Sequence, residues 1–324
     1  MSDQPSGEWR PTASPESLAA RADVLRTIRR FFRDRGVMEV ETPLLSQGTI
    51  PDAGIDVFTL PGVDDAPDRY LQTSPESAMK RLLAAGSGDI FQICKAFRQG
   101  EVGRHHNPEF TLLEWYRVGW DHAVLMREVA ELLGTVLNSD SWQVWPYRAL
   151  YVELLGVDPL DERTSLKTLT DLVQSRIGSV PEGLDRDAVL DVLMSHCIEP
   201  GISDWGVVFI TDFPLSQAAM ARSISVGDAD VAARFECYVH GKELDNGYWE
   251  QIDADALSAQ LQAENTRRRQ RGLPERPIDE RLLAAHRHGL PDCAGVALGV
   301  DRLLAVKLGA ESLGDIISFG WDRA

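Results

Sequence analysis

Positive charge is scarce in this chain. Lysine and arginine total 33 of 324 residues against 50 aspartates and glutamates, a formal net charge of −17. Nucleic-acid binders neutralise phosphates with basic side chains, so this mean field argues against a nucleic-acid partner. Cysteine is also sparse: Cys94, Cys197, Cys237 and Cys293 are scattered, and none belongs to a CxxC pair. They are expected as reduced core thiols, which points to the cytosol. No run approaches the ~18 apolar residues of a membrane span. The N-terminal segment MSDQPSGEWRPTASPES lacks the apolar stretch of a secretory signal. Two common phosphate-cradling loops are missing, since no GxxxxGK[ST] occurs and no GxGxxG follows a strand. There is no internal repeat and no low-complexity tract.

What remains is a globular composition, 44% hydrophobic and 26% charged. The length allows one large domain or two small ones. Residues 1–13 read as a loose leader, and 14–324 as a single domain. Ser14-Pro15-Glu16 starts a helix, with serine as N-cap, proline at the first helical position and an acid in the first turn. Leu18, Ala22, Leu25, Ile28, Phe31 and Phe32 then make one helical face before Gly36. An extended stretch ends at Pro43, and Thr73-Ser74-Pro75-Glu76 opens a second helix. Residues 89–98 and 109–118 read as strands flanking the polar loop QGEVGRHHNP. The middle, 122–200, is mostly helical in pattern. Residues 207–211 form a short buried strand, and 235–249 a hairpin turning at Gly241-Lys242. Residues 254–271 make a polar, charged helix, and 295–299 a glycine-spaced strand followed by a helix from Asp301. An antiparallel sheet with helices packed around it, an α+β fold, accounts for this order.

Three stretches carry chemistry. Strand alternation puts Phe110, Leu112, Glu114 and Tyr116 on one face, beside a loop with Arg98, Arg104, His105, His106 and Asn107. That set suits a polyphosphate beside an aromatic that stacks on a base; it equally fits a solvated loop with a partly polar sheet face. Glu243, Asp245 and Glu250 suit Mg²⁺, which takes carboxylate and phosphate oxygens, or else decorate an edge hairpin. Glu243 and Glu250 are seven apart and meet only across a bulge or bend, for which Gly247 is a plausible place. In Gly295-Val-Ala-Leu-Gly299-Val-Asp-Arg302, the glycines mark either close packing or ligand approach. Arg302 sits at a helix start, where a cation opposes the dipole, so it is suited to serve a phosphate or an adenine face.

The order of these pieces resembles the catalytic core of class II aminoacyl-tRNA synthetases. The pieces are E-V-E-T-P, T-S-P-E, F-R then R-H-H-N-P-E-F with E-W-Y, E-L-x-N-G-Y-x-E and G-x-A-x-G-x-D-R. The likeness is to the lysyl branch, and within it to the elongation factor P β-lysine ligase family. It covers about residues 14–320. The resemblance implies an antiparallel sheet flanked by helices and a homodimer formed through the first helix and its proline-terminated strand. It implies that Ser74, Pro75, Glu76, Tyr116 and Glu250 bind the amino acid, with Glu76 a partner for an amino group and Glu114 suited to a second ammonium. It places Arg98 on the α-phosphate, His106 and Asn107 near ATP, and Phe110 and Arg302 around the adenine. Gln99, Gly100, Glu243, Leu244 and Gly299 complete the nucleotide site, with Glu243 and Glu250 close to Mg²⁺.

Some positions depart from the synthetase pattern. Gln99-Gly100 replaces Asn-Glu, with Glu101 one place later, and His105 replaces an arginine. Ala297 stands for a central glycine, and Ser318-Phe319-Gly320 for a Phe-Pro ending; Ser216-Gln217-Ala218-Ala219 looks like the ligase branch. The expected chemistry is ATP-dependent activation of (R)-β-lysine and its transfer to a lysine of elongation factor P, in the cytoplasm, without tRNA or membrane. The rivals are a truncated lysyl-tRNA synthetase, lacking the roughly 100 residues of an anticodon domain, and a non-catalytic paralogue.

Overall fold

A computed structural model describes residues 9–64, 66–179 and 183–324. Helix α1 (Pro15–Arg33) is followed by short strands β1 (Met38–Glu39), β2 (Leu45–Ser46), β3 (Thr59–Leu60) and β4 (Arg69–Leu71), then α2 (Glu76–Ala84), β5 (Ile90–Phe97) and β6 (Glu109–Val118). Next come α3 (His122–Leu137), β7 (Trp142–Pro146), α4 (Tyr147–Leu155), α5 (Leu166–Ile177), α6 (Arg186–Leu193) and a single turn, α7 (Glu199–Gly201). Strands β8 (Val207–Pro214), β9 (Ser223–Val226), β10 (Ala229–Val239) and β11 (Lys242–Trp249) precede α8 (Ala254–Gln270), α9 (Glu280–Gly289), β12 (Cys293–Gly299) and α10 (Val300–Leu308). The α+β expectation holds. None of the described helices is long and apolar enough to cross a membrane.

The chain falls into two compact units. The first comprises the described residues up to Gly119, with Thr135–Asn138 and Gln251–Ala324; the second comprises Trp120–Gly134 and Ser139–Glu250. In the first, β1 lies parallel to β5, and β5, β6 and β12 are antiparallel in turn. The parallel β1 is an exception to the antiparallel expectation. Ser14 caps α1 by accepting the Ser17 amide, as its sequence predicts. The buried face of α1 delivers Ile28, Phe31 and Phe32. Phe32 stacks on Phe91 with ring centroids 4.6 Å apart and meets Trp115 edge-on at 5.2 Å. Thr12, inside the expected leader, is tied down by its amide and hydroxyl, which donate to Ser318 O and Ile317 O. Residues 1–8 of that leader lie outside the described residues.

In the second unit β11, β10 and β8 are antiparallel in turn, and β7 lies parallel to β8. Strand β7 falls within the stretch that the sequence reads as helical. The β10–β11 turn is His240-Gly241, one residue earlier than expected; both have positive φ, 51° and 71°, the backbone that a tight hairpin demands. Helices α4, α5 and α6 pack Leu150, Leu169, Val173, Val189 and Leu193 with Val208 and Ile210 of β8 into one core.

Candidate active site

The first unit assembles the cluster expected around a nucleotide. Arg98 leaves the end of β5, Phe110 lies on β6 and Arg302 on the first turn of α10. Together with Glu101, His105, His106, Asn107, Asp301 and Leu313 they line one cavity. Residues 103–106 form a tight turn, the Gly103 amide donating to His106 O at 3.0 Å, so the loop is built rather than loose. Arg98 holds its guanidinium 5.0 Å from the Phe110 ring centre and 3.7 Å from the Glu101 carboxylate. Arg302 Nη2 lies 2.8 Å from His106 Nε2. A guanidinium only donates, so His106 Nε2 is the acceptor of this contact. Asp301 accepts the Thr111 amide at 2.7 Å and pairs with Arg21. It fixes α10 against β6, and hence Arg302 against Phe110. Asn107 is a brace: its side chain donates to Glu109 O at 2.6 Å and accepts the Trp321 amide at 3.0 Å. Gln99 and Gly100 do not line the cavity. Gly100 has φ +84°, a turn conformation that side chains resist.

Further along the same face of β6, Glu114 and Tyr116 are buried, and the Tyr116 hydroxyl donates to Glu114 Oε1 at 2.8 Å. A strand rise of about 3.3 Å per residue puts Glu114 roughly 13 Å from Phe110. The β6–β12 register sets Gly295 beside Tyr116, Ala297 beside Glu114 and Gly299 beside Leu112. Cross-strand partners share a face, so two glycines and an alanine leave this stretch low, a floor beside a carboxylate and a phenol. On the other flank Gln92 pairs with Glu114 and Cys94 with Leu112. Burial, and then the nearby Glu114 charge, push the Cys94 thiol up to about 12. It is an unreactive thiol at neutral pH, and all four cysteines are free, as expected.

Glu76 opens α2, but its Oε1 accepts from Lys80 Nζ at 2.6 Å, and Lys80 is fully buried. The chain's own ammonium already meets this carboxylate, which the sequence reading missed although the i, i+4 spacing was visible. Ser74 and Pro75 line a cavity of about 370 Å³ with Arg69, Arg81 and Arg281.

In the second unit the bulge exists, but not at Gly247. Register runs Cys237↔Asp245 and then Tyr238↔Glu243, leaving Leu244 as the extra residue. The extra residue turns Glu243 onto the side of Asn246, Tyr248 and, by alternation, Glu250. Gly247 serves another purpose, since a Cβ there would lie 2.3 Å from Phe235 Cζ. Asp245 pairs with Cys237 and so points to the opposite face. It is 2% exposed, and among the described residues only the Cys237 backbone approaches its carboxyl as a hydrogen-bonding group. Burial, with the Glu243 and Glu236 charges, holds its carboxyl well above the usual range. Asp245 therefore leaves the Mg²⁺ set, while Glu243 and Glu250 keep the oxygen donors and shared face that fit the ion. Among the described residues, no group of three His, Cys, Asp or Glu side chains could by itself hold a metal.

The family model of class II tRNA synthetases (D, K and N) matches residues 7–323. A curated protein of Pectobacterium carotovorum subsp. carotovorum (strain PC1) is 47% identical, with 98% of each chain covered. One of Edwardsiella ictaluri (strain 93-146) is 48% identical over 100% of both, and one of Salmonella typhi is 48% identical over 98% of both. All three are named elongation factor P–(R)-β-lysine ligase.

Proposed function

Since the chain belongs to the class II tRNA synthetases (D, K and N) and, within them, to the elongation factor P–(R)-β-lysine ligases, we propose that it activates (R)-β-lysine with ATP and transfers it to a lysine side chain of elongation factor P. The observation that carries this reading is a single face of β6. It presents Phe110 to the Arg98–Arg302 cavity and, further along, the Glu114–Tyr116 pair over the Gly295–Gly299 floor. One end suits an adenine and its phosphates, the other a substrate ammonium.

In the first step the β-lysine carboxylate attacks the α-phosphorus, forming an acyl–adenylate and releasing pyrophosphate. No protein nucleophile is needed; Arg98 neutralises charge on the phosphate while Phe110 and Arg302 hold the base. In the second, the protein amine attacks the acyl carbonyl, an amide forms, AMP leaves and the amine gives up a proton. Glu114, oriented by Tyr116, meets a substrate ammonium, with Ser74, Pro75, Glu76 and Glu250 as its further contacts by family likeness. By family likeness His106, Asn107, Leu244 and Gly299 complete the nucleotide contacts, while Gln99 and Gly100, outside the cavity, shape the turn that follows Arg98. Glu243 and Glu250 would hold Mg²⁺, which would supply charge neutralisation at the phosphates.

The working unit is a homodimer in the cytoplasm that does not use tRNA. Exposed Met38, Leu44, Leu45 and Leu60, near the proline-terminated stretch, support an apolar contact there. Mass spectrometry of elongation factor P after incubation with enzyme, ATP and each lysine isomer tests the transfer. Modification is expected with (R)-β-lysine. Unmodified factor together with charging of tRNA by α-lysine would sink the proposal in favour of a synthetase, and absence of ATP–pyrophosphate exchange with every amino acid would favour a non-catalytic paralogue.

A further inference from the structure

Helix α8 ends in the run Arg267-Arg268-Arg269-Gln270-Arg271, which reads as a solvated charged face. Its middle arginine contradicts that. Arg268 is 0% exposed, whereas the side chains of Arg267 and Arg269 are 32% and 66% exposed. Its Nη1 donates to Asp52 O at 2.6 Å and Ile55 O at 2.9 Å, and its Nη2 to Asp56 Oδ1 at 2.7 Å. Its Nε donates to Pro274 O at 2.9 Å. A second residue of α8, Glu264, accepts the Ala53 amide. The 52–56 loop so held reaches the nucleotide cluster, because Asp56 O accepts the Gln99 amide at 2.9 Å. Gln99 follows Arg98, whose own amide donates to Pro108 O at 2.9 Å.

We propose that Arg268 is a positioning residue of the nucleotide site. It clamps the 52–56 loop, and the loop fixes the backbone that aims the Arg98 guanidinium. The proposal rests on the reading of Arg98 as a phosphate-binding side chain. A buried guanidinium is a poor way to gain stability, since its desolvation cost rivals its attractions and an apolar residue fills the same space. What an apolar residue cannot do is hold three carbonyls and a carboxylate in fixed relation, and a fork of rigid donors does that. An error of about 1 Å in a phosphate-binding group is enough to lose much of its effect.

The test is ATP–pyrophosphate exchange with ATP and amino acid varied separately in Arg268→Met, Arg268→Lys and Asp56→Asn. A positioning role raises KM for ATP about tenfold in Arg268→Met and less in Arg268→Lys, with KM for the amino acid nearly unchanged. A merely structural role lowers the melting temperature and the active fraction, hence kcat, and leaves KM for ATP alone. That result overturns the proposal. Asp56→Asn, at a side chain 41% exposed that meets both Arg268 and Arg276, weakens the same clamp without opening a cavity if the Arg268 variants do not fold. It is expected to raise KM for ATP severalfold, and an unchanged KM overturns the proposal by itself. Arg98→Ala run alongside separates the two failures. Undiminished exchange in Arg98→Ala removes the site reading and this inference with it. Abolished exchange there, with KM unmoved in the other variants, removes the inference alone.

Discussion

Asp245 puts a carboxyl group on the buried side of β11, where only the Cys237 backbone approaches it among the described residues. Its raised pKa means that the folded chain keeps a proton which the unfolded chain releases above about pH 3.9. The folded state then binds more protons, so stability falls as pH rises from that value toward the folded pKa. Asp245→Asn is expected to flatten this slope and to gain roughly 1–3 kcal/mol at neutral pH, measured by urea denaturation across pH; an unchanged slope would show that other groups set it. Asp56 behaves in the opposite sense. The Arg268 and then the Arg276 hydrogen bonds lower its pKa, so its contribution is present above the ordinary value and fades in acid. Cys94, held unreactive by burial, allows a sharp mechanistic check. Cys94→Ala should keep exchange and transfer within about twofold, because no thioester lies on the route. Arg302→Ala is expected to abolish exchange by removing one side of the adenine clamp, and retained activity would show the nucleotide site to be elsewhere.

At the scale of elements, packing decides what single side chains can change. Phe32 is fully buried between Phe91 and Trp115, so Phe32→Ala is expected to cost about 3–5 kcal/mol of stability. Gly247→Ala forces a methyl group onto the Phe235 ring, and about 1–3 kcal/mol of overpacking is expected. Thermal melts check both, and Phe235→Leu should recover part of the second. Strand β6 was legible in full, Glu109–Val118, because β-formers such as Phe110, Thr111, Trp115, Tyr116 and Val118 are concentrated between Pro108 and Gly119. The face of Phe110, Glu114 and Tyr116 follows from counting by two. Strand β7 was not legible, since it is five residues long and sits among helices. The bulge was half legible: parity demanded one, but only pairing with β10 reveals that Leu244 supplies it. Arg268 was hidden for a related reason. An arginine run carries no mark of which member finds carbonyls to bond.

At the scale of the molecule, the charge of −17 acts through its field. An anionic surface speeds encounter with a partner that offers a lysine from a basic region and slows approach by tRNA. Raising salt from about 0.05 M to about 0.5 M shortens the screening length severalfold. KM for elongation factor P should therefore rise, while exchange with free amino acid changes little. A salt-independent KM would mean that the acidic residues face elsewhere. The Leu244 bulge has a consequence at this scale too. It is a dislocation in an otherwise periodic strand, and the ladder would close more perfectly without it. Straightening the strand at its full length would carry Glu243 to the face of Asp245, whereas deleting that one codon leaves Glu243 six residues from Glu250 and on the same face, so a folded chain with a more regular hairpin and retained exchange at unchanged circular dichroism is expected. Here the irregularity absorbs one residue of odd spacing and so lets two acids seven apart face the same way.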